Sequence, residues 1–407
     1  MMATYSQNKK DEGDASTIDI ISNLPECIKE MILVKLPIKE AVRTCVLSKD
    51  WRRTWSKVQY LYINVGNEGS KLENTIKFID HVLNLHNGNV TMLELSGVKP
   101  SEVDFERWMV KLSRMQIGKL ILKLDCERSP MSRRSCQVTG HCAMKLPHGF
   151  SGFKLLYSLH FLGTCKINET DMAKLISSCP LLEDLFLDGF NYCALKIHAL
   201  NLKKIWILGS FGDLYLQTPK LLKVFIAIMY YKKKVVIGSN LIQALSSISH
   251  IQTLTIYCQC PDPLIGSLKA KFPPILGNLI RLEIFLQPSS SPQLTFAILL
   301  FQNSPRLQAI SLLLQPLQFP SISSTYEQLE SSQPGLFPSL RYIHIKPAPG
   351  IDCSIAFAKF ILKNAPALER LTIWENVQDS EASKLRELSA TAEIVFNKHF
   401  SISSWYW

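Results

Sequence analysis

A short motif recurs along most of this chain: residues 366–373 read PALERLTI, and residues 180–187 read PLLEDLFL. In each, a proline stands two positions before an aliphatic residue i, and further aliphatic residues follow at i+3 and i+5. Residues two apart in a strand point to the same side, so positions i+3 and i+5 share one face. The motif therefore predicts a short strand that buries one face.

The same spacing occurs eleven times, at intervals of 19 to 39 residues. Its first positions are Val90, Ile117, Leu156, Leu182, Leu202, Leu221, Ile251, Leu279, Leu307, Leu340 and Leu368. Proline precedes five of these positions, where its average abundance would place about 0.6. Helical patterns fill the intervals at 72–86, 103–115, 169–179, 239–250, 295–303 and 354–364. Strand, turn and helix repeated about every 20–30 residues predict a leucine-rich-repeat solenoid, a horseshoe in which each unit buries its apolar face against the next.

Some segments depart from a plain repeat. Residues 126–150 predict an inserted loop, and the Gln/Ser/Pro-rich residues 315–336 predict a second one. The units that begin at Leu182, Leu202 and Leu221 leave room for a turn but not for a helix. Near the C-terminus, a helical pattern at 379–389 precedes a strand at 393–396, which together predict a terminal cap.

Residues 18–57 have a different, helical pattern. Leu24, Ile28, Ile32 and Leu36 recur every four residues, with prolines suited to a helix start and a helix end. Residues 38–47 predict a second helix, and Ser48 predicts the cap of a third that carries Trp51 and Trp55. A unit of about 40 residues seldom folds stably alone, so we expect it to dock on another part of the molecule.

Composition narrows the classes of protein that remain. Of the 407 residues, 47% are hydrophobic and only 19% are charged, which argues against wholesale disorder. The net charge is +11. Nine of those eleven excess positive charges lie beyond residue 60 and suit an acidic protein, a phosphate-rich ligand or nucleic acid. The eleven scattered cysteines predict reduced thiols rather than a disulfide framework. No apolar run is long enough to predict a membrane span, and residues 1–17 predict a solvated tail rather than a signal peptide.

Residues 19–55, DIISNLPECIKEMILVKLPIKEAVRTCVLSKDWRRTW, resemble the F-box of plant F-box proteins. The departures are Lys29 and Thr54, where the family prefers leucine, and Asp50, where it prefers a basic residue; we expect them to weaken the docking face at its margins. The C-terminal sequences LFPSLRYIHI, FAKFILKNAPALERLTIWEN and LRELSATAEIVF resemble the FBD module, although residues 388–393 replace its usual Phe-Pro-Arg stretch. With the repeats, nearly the whole chain is similar to the plant F-box/FBD/LRR-repeat family.

The resemblance implies an α/β fold with a tail at 1–17, a three-helix F-box at 18–60, leucine-rich repeats at 61–335 and FBD-like repeats with a cap at 336–407. It implies a non-catalytic subunit of the nucleus or cytoplasm, without a cofactor. Its F-box would bind a Skp-type adaptor, and through it the cullin and RING subunits of an SCF ubiquitin ligase. The adaptor-binding candidates are Leu24, Pro25, Ile28, Ile32, Leu36, Pro37, Leu47, Trp51 and Trp55. The alternatives are that these residues pack the F-box interior, or that Trp51 seats the F-box against the first repeat.

The strand positions between the aliphatic residues face away from the core and predict the substrate-binding surface. The candidates there are Lys204, Trp206, Lys223, Phe225, Tyr257, Arg281, Phe285, Tyr342, His344, Lys346, Arg370 and Trp374. Basic and aromatic residues with few acids suit an acidic or phosphorylated protein partner. The alternative is an ordinary solvated strand face.

Other chemistry finds little support in the sequence. Residues 190–235 hold eight lysines against one acid, Asp213, a charge that could attract nucleic acid. The sequence has no groove-reading motif, however, so we do not expect nucleic-acid binding. Cysteines and histidines near positions 136–142 and 258–260 lack a second ligand pair at zinc spacing, so no metal site is expected. No glycine-rich phosphate loop or hydrolase motif predicts a catalytic residue. The functional alternative to the ligase subunit is a repeat protein that binds a partner or senses a small ligand independently of any ligase.

Overall fold

The computed structural model describes residues 20–64, 72–124, 143–163, 166–228, 241–258, 276–286, 291–314, 337–346, 353–374, 379–388 and 391–397. The chain begins with a helical unit: α1 (Glu26–Lys35), α2 (Ile38–Arg43), a 3₁₀ turn (Thr44–Val46) and α3 (Lys49–Trp55). Pro25 and Pro37 precede the first two helices, and the Ser48 side chain accepts the Trp51 backbone N–H at 3.3 Å. The prediction of three short helices with Ser48 as a cap is confirmed.

The rest of the described chain is built on one parallel sheet of thirteen strands. Its strands lie side by side in chain order, interrupted by the small pair β4 (Ala143–Met144) and β6 (Lys166–Ile167), which forms a second sheet. The thirteen strands are β1 (Tyr60–Asn64), β2 (Val90–Val98), β3 (Ile117–Leu124), β5 (Ser158–Gly163), β7 (Asp184–His198), β8 (Lys204–Gln217), β9 (Lys223–Ile228), β10 (Thr253–Cys258), β11 (Arg281–Leu286), β12 (Ala309–Leu314), β13 (Tyr342–Lys346), β14 (Arg370–Ile373) and β15 (Glu393–Phe396).

All eleven strands that the motif predicts are present, and their motif positions are in register. Leu93 lies opposite Leu120, Leu120 opposite Leu159, and the same pairing continues to Leu371 on β14. The residues at i+3 and i+5, aliphatic except for Phe161, therefore form two continuous columns, and each of these side chains is at most 2% exposed. Burying one such side chain contributes about 2 kcal/mol, so the columns account for the regular stacking of the strands.

Two further strands extend the sheet at its ends. β1 was not predicted, yet Val58, Leu61 and Ile63 have the motif spacing, and Leu61 pairs with Leu93. The prediction was incomplete because this first unit begins directly at the end of the helical segment. At the other end, β15 pairs with β14 over 393–396, as predicted.

The helices occur in the intervals where periodicity predicted them. They are α4 (Leu72–Leu85), α5 (Glu102–Arg114), α6 (Glu169–Ser177), α7 (Leu241–Ser247), α8 (Ser291–Gln302), α9 (Cys353–Asn364) and α10 (Asp379–Leu388). Ser101 and Asp104 form a capping box at the start of α5. Neighbouring helices are also linked, because Asp80 on α4 accepts hydrogen bonds from Arg107 and from the Trp108 indole on α5.

The units that begin at Leu182 and Leu202 differ from the prediction. Instead of a short strand and a turn, β7 and β8 run on for 15 and 14 residues and pair along almost their whole length. Their second halves alternate buried and exposed residues, with Phe190, Tyr192 and Ile197 buried on β7. Because too few residues remain for a helix, paired strands bury this apolar surface instead.

Other sequence-based expectations lie outside the described residues: the tail at 1–17, the loop at 315–336 and most of the loop at 126–150. Across the described helices, none combines the length and apolarity needed to cross a membrane.

Gly189 provides a test of the close packing where the register of β7 and β8 shifts. Its φ of +84° disfavours any side chain, and a Cβ there would overlap the backbone carbonyl of Gly163 on β5. We expect Gly189→Ala to lower the free energy of unfolding by about 3 kcal/mol. The urea midpoint of the full chain measures the effect.

Gly149→Ala is the matched control. Gly149 also has a positive φ, of +81°, but a Cβ there would meet no atom of the described residues within 4 Å. That variant should lose only about 1 kcal/mol, the backbone strain alone. Equal losses in the two variants would show that the contact between β5 and β7 is not tight.

Candidate functional site

The interior of the F-box does not coincide with the apolar positions that recur every four residues from Leu24 to Leu36. On α1 the buried residues are Lys29 and Leu33, one position later than the stripe that the sequence suggested. Ile32 is 37% exposed, whereas Leu24 and Leu36 are half-buried against the core. The stripe therefore lies at the boundary between the interior and the surface of the F-box.

Apolar side chains remain exposed on the outside of this unit. Val46 is 86% exposed, Leu47 is 54% exposed, and Met31 and Val34 are also exposed on α1. Pro25 and Pro37 are exposed as well. Of these residues, Pro25, Pro37 and Leu47, like Ile32, were adaptor-binding candidates. Met31, Val34 and Val46 were missed, although a helical wheel with position 29 inside would have placed Met31 and Val34 outside.

Trp51 and Trp55 are each only 2% exposed, so neither can touch a partner unless the F-box opens. The Trp55 ring lies 6.0 Å from the ring of His86, which follows α4. Beside it, the backbone N–H groups of Asn87 and Gly88 donate to the Ser56 carbonyl at 2.9 and 3.1 Å. Trp55, rather than Trp51, therefore seats the F-box against the first repeat.

The departures at Lys29 and Thr54 lie in the interior of the F-box rather than on its surface, and their effect on adaptor docking stays a prediction. The Lys29 side chain is 5% exposed, donates from Nζ to the Ser22 carbonyl at 2.6 Å, and lies 5.9 Å from the centre of the Trp51 ring. Thr54 is buried and donates to the Asp50 carbonyl at 2.9 Å. Asp50 itself is exposed and pairs with Arg53 at 3.1 Å.

Replacing Lys29 tests the cost of burying an ammonium group. Burial of a charge is unfavourable, and one carbonyl with one aromatic face compensates it incompletely. We expect Lys29→Leu to stabilise the F-box by about 1 kcal/mol, measured as slower hydrogen exchange along α1. Lys35→Leu, at an exposed position of the same helix, is the control and should change protection little. A loss of protection in Lys29→Leu alone would contradict the argument.

His86 is a titratable group within the seam between F-box and repeats. Its Nε2 lies 2.8 Å from the Val58 carbonyl, which can only accept, so this nitrogen carries the proton. Its Nδ1 is buried without a hydrogen-bond partner in the described part of the chain. Burial lowers the pKa of His86 below its ordinary value, and the bond to Val58 opposes this shift only in part.

The lowered pKa predicts a seam that weakens in acid. Below the ordinary histidine pKa the unfolded state binds a proton that the folded state does not, so stability falls as the pH falls toward the folded-state value. We expect protection of residues 49–60 from hydrogen exchange, corrected for intrinsic rates, to decrease between about pH 7.5 and 5.5. His86→Gln keeps a donor for Val58 but does not titrate, so its protection should stay constant. An equal decrease in this variant would exclude His86 as the cause.

The other candidate surface is the open face of the sheet, defined by the strand positions that alternate with the buried columns. All twelve substrate-binding candidates lie on it. Exposed members are Lys204, Lys223, Arg281, Tyr342 and Arg370, and half-buried members are Trp206, Phe225, Tyr257, Phe285, His344, Lys346 and Trp374. Their substrate-binding role stays a prediction.

Four rings form an aromatic ladder across β5, β7, β8 and β9. The His160 and Phe186 centroids are 5.5 Å apart, and those of Phe186 and Trp206 are 6.1 Å apart. Trp206 stacks on Phe225 at 4.7 Å with an interplanar angle of 19°. His160 and Phe186 were missed, although they occupy the same motif offset in the units that begin at Leu156 and Leu182.

Asp184 anchors the first ring of the ladder. Its carboxylate accepts hydrogen bonds from His160 Nε2 at 3.0 Å and from Ser158 Oγ at 3.1 Å. Burial opposes ionisation, but these bonds and the charges of His160 and Lys204 hold the pKa of Asp184 below its ordinary value. Serine and histidine bond the same carboxylate oxygen, so the histidine is not placed to activate the serine as in a hydrolase triad.

Charged and aromatic groups are also close together on β10–β14. Tyr257 and Phe285 meet edge to face at 4.7 Å, and Lys346 Nζ lies 5.6 Å from the centre of the Trp374 ring. Burial raises the pKa of Glu283 above its ordinary value, and the charges of Lys346 and Arg281 and the Thr255 hydroxyl offset part of this. Within the described ranges, no group of three or more His, Cys, Asp and Glu side chains is arranged to hold a metal ion.

Comparison with known proteins finds a family match at the N-terminal and at the C-terminal part of the chain. The F-box domain family matches residues 21–61, which include α1, α2 and α3, and the FBD family matches residues 334–373, which include β13, α9 and β14. An F-box/FBD/LRR-repeat protein of Arabidopsis thaliana is 31% identical over 388 residues, covering 89% of this chain and 93% of the relative. A second such Arabidopsis protein is 26% identical over 418 residues, covering 92% and 93%. An Arabidopsis FBD-associated F-box protein is 30% identical over 226 residues, about half of each chain.

The fold and these matches define a plant-type F-box protein with a C-terminal FBD module. The chain belongs to the F-box/FBD/LRR-repeat family.

Proposed function

We propose that this protein is the substrate-recognition subunit of an SCF-type ubiquitin ligase. Its F-box docks a Skp-type adaptor, as F-box domains generally do, and the adaptor joins it to the cullin and RING subunits. The observation that carries the proposal is the exposed apolar surface around Val46 and Leu47 on a helical unit that is itself seated on the repeats. The protein acts in the nucleus or cytoplasm and leaves the chemistry to other subunits.

The adaptor-binding surface combines predicted and newly found residues. Exposed apolar groups that surround a compact helical unit suit docking into a partner's groove, where burial of apolar area supplies most of the affinity. Trp51 and Trp55 support this surface from inside. The contact residues are Leu24, Pro25, Ile28, Ile32, Leu36, Pro37 and Leu47, together with Met31, Val34 and Val46.

The mechanism is proximity. A substrate held on the open face has its lysines presented to the ubiquitin-charged enzyme at a high effective concentration. Such tethering works best when the adaptor-binding surface and the open face keep a fixed position relative to each other. The buried Trp55–His86 contact and the backbone hydrogen bonds to Ser56 support such a fixed position of the F-box on the sheet.

The sheet supports a leucine-rich-repeat solenoid as the substrate-holding part. Parallel strands in chain order, alternating with helices, are the arrangement of such solenoids, which curve with their strands on the inside. The open face would then line the concave side of a horseshoe. We assign residues 18–60 to the F-box, 61–335 to the repeats and 336–407 to the FBD repeats and cap.

Substituting Leu47 tests adaptor docking. We expect Leu47→Asp to reduce capture of a purified Skp-type adaptor by the full chain at least about tenfold, because it places a charge within an apolar contact. Leu200→Asp is the matched control: Leu200 is similarly exposed, at 57%, but lies in the turn between β7 and β8. Thermal unfolding of both variants verifies that they fold.

Undiminished capture by Leu47→Asp would overturn this docking surface, and failure of the unmodified chain to capture any adaptor would overturn the ligase proposal. Proximity labelling in plant cells with the proteasome inhibited then tests substrate recognition. Substrates should be labelled by both the unmodified chain and Leu47→Asp, but ubiquitinated only with the former. A partner labelled equally by both and never ubiquitinated would favour the ligase-independent alternative.

A further inference from the structure

The open face has a notch at β12. Ala309 and Ser311 carry the shortest side chains on this part of the face, and both are half-buried. In the register of the sheet, Ala309 lies between Arg281 and Tyr342, and Ser311 lies between Glu283 and His344. Because neighbouring strands are about 4.8 Å apart, the flanking side chains on β11 and β13 stand roughly 10 Å apart across the notch.

Polar groups around this notch have unused hydrogen-bonding capacity. Arg281 forms no ion pair, and Ser311 and His344 form no side-chain hydrogen bond, with any residue that the structure describes. A guanidinium, a hydroxyl and an imidazole that lie on three neighbouring strands without bonding one another are suited to share a ligand with several acceptor atoms. This distinguishes the notch from the Asp184 cluster, whose groups bond one another.

Positive charge surrounds the same place. Burial, followed by the charges of Lys346, Arg281 and Arg370, lowers the pKa of His344 below its ordinary value. These three cations come from β13, β11 and β14. Arg370 is paired with Glu393 at 2.7 Å. Glu369, which accepts from the Tyr342 hydroxyl at 2.6 Å, is paired with Arg341 at 3.4 Å. Among the residues that the structure describes, Glu283 on β11 is then the one acid set against both Arg281 and Lys346. The cations therefore exceed the acids on this part of the face.

Two of the four contributing strands belong to the FBD match. β13 supplies Tyr342, His344 and Lys346, while β14 supplies Arg370 and is followed directly by Trp374. Trp374 holds the Lys346 ammonium against its ring face. The repeats supply Arg281 from β11 and the short side chains of β12. Neither part forms the notch alone.

We propose that the FBD strands complete an oxyanion cradle, formed by Arg281, Ser311 and His344 with the charges of Lys346 and Arg370 beside it, that binds the phosphate of a phosphorylated side chain on the captured protein. The assignment deepens the proposed function and rests on it for the identity of the ligand as a protein. The FBD module is thereby given a role in substrate recognition.

The chemistry favours a phosphate monoester over a carboxylate. A phosphorylated side chain carries nearly two negative charges and three strong acceptor oxygens, which match several donors spread around a notch. A single carboxylate would meet the same Glu283, but its one negative charge would be attracted less strongly by the surrounding cations. Arginine in particular forms paired hydrogen bonds with phosphate.

The first experiment measures inorganic phosphate binding to the full chain by calorimetry at constant ionic strength, without any ligase component. We expect saturable binding that weakens about tenfold in Arg281→Gln and is lost in Ser311→Asp, which places a carboxylate in the notch. Lys119→Gln is the matched control. Lys119 lies on the same face and row but six strands from β11, roughly 29 Å away, so it should bind phosphate like the unmodified chain.

Histidine NMR locates the ligand. A bound dianion offsets the charges of Lys346, Arg281 and Arg370, while Glu283 is unchanged, so phosphate should raise the pKa of His344, identified by its loss in His344→Asn. No saturable binding, equal binding by Ser311→Asp, or an unmoved His344 signal would each overturn the cradle.

A degenerate peptide library separates the two sources of phosphate. Phosphoserine and phosphothreonine peptides should be retained by the full chain, released by free phosphate, and not retained by Ser311→Asp, whereas their unphosphorylated counterparts should not be retained. If the chain binds phosphate but does not discriminate between phosphorylated and unphosphorylated peptides, the ligand is a small phosphorylated molecule rather than a protein, and that part of the proposal is overturned.

Adaptor capture by Leu47→Asp and by the unmodified chain is independent of these results, so failure of the cradle and failure of the ligase proposal are distinguishable.

Discussion

The structure depends on one constraint: a short parallel strand with two buried aliphatic residues is stable only beside another strand in the same register. No single unit can cover its own apolar columns, so each relies on its neighbours. Leu120 is almost fully buried because Leu93 lies on one side and Leu159 on the other. The same constraint explains why the F-box is seated at β1: its buried Trp55 and Val58 continue the core beyond the first strand.

Register also determines what the open face can do. Because the columns align position by position, residues at equal offsets on neighbouring strands meet, and ring follows ring from His160 to Phe225. On β12 the same alignment brings two short side chains between longer charged ones. An aromatic region and a cationic region thus arise on one face from a single packing rule, with changes only at positions that the core does not constrain.

The F-box depends less on uniform packing than the sheet does, and more on the contacts of single buried side chains. Three short helices enclose few side chains, so each interior position matters more than in the long sheet. Lys29 occupies such a position and relies on the Ser22 carbonyl and the Trp51 ring. His86 is buried at the seam and neutral above its lowered pKa. These are features of this chain within a family whose general architecture it shares.

The sequence by itself determined twelve of the thirteen strands of the large sheet, most helices and the residues of the open face, because strict spacing over eleven units leaves one way to bury the apolar positions. It did not determine the long second halves of β7 and β8. It also carried signals that were overlooked, namely the first unit at Val58 and the ladder residues His160 and Phe186. Only the tertiary structure decided which side of α1 is inside, since a ten-residue helix offers two nearly equivalent apolar faces and its neighbours select one. Likewise, Arg281, Ser311 and His344 are about 30 residues apart in the chain, and only the pairing of β11, β12 and β13 makes them neighbours on one face.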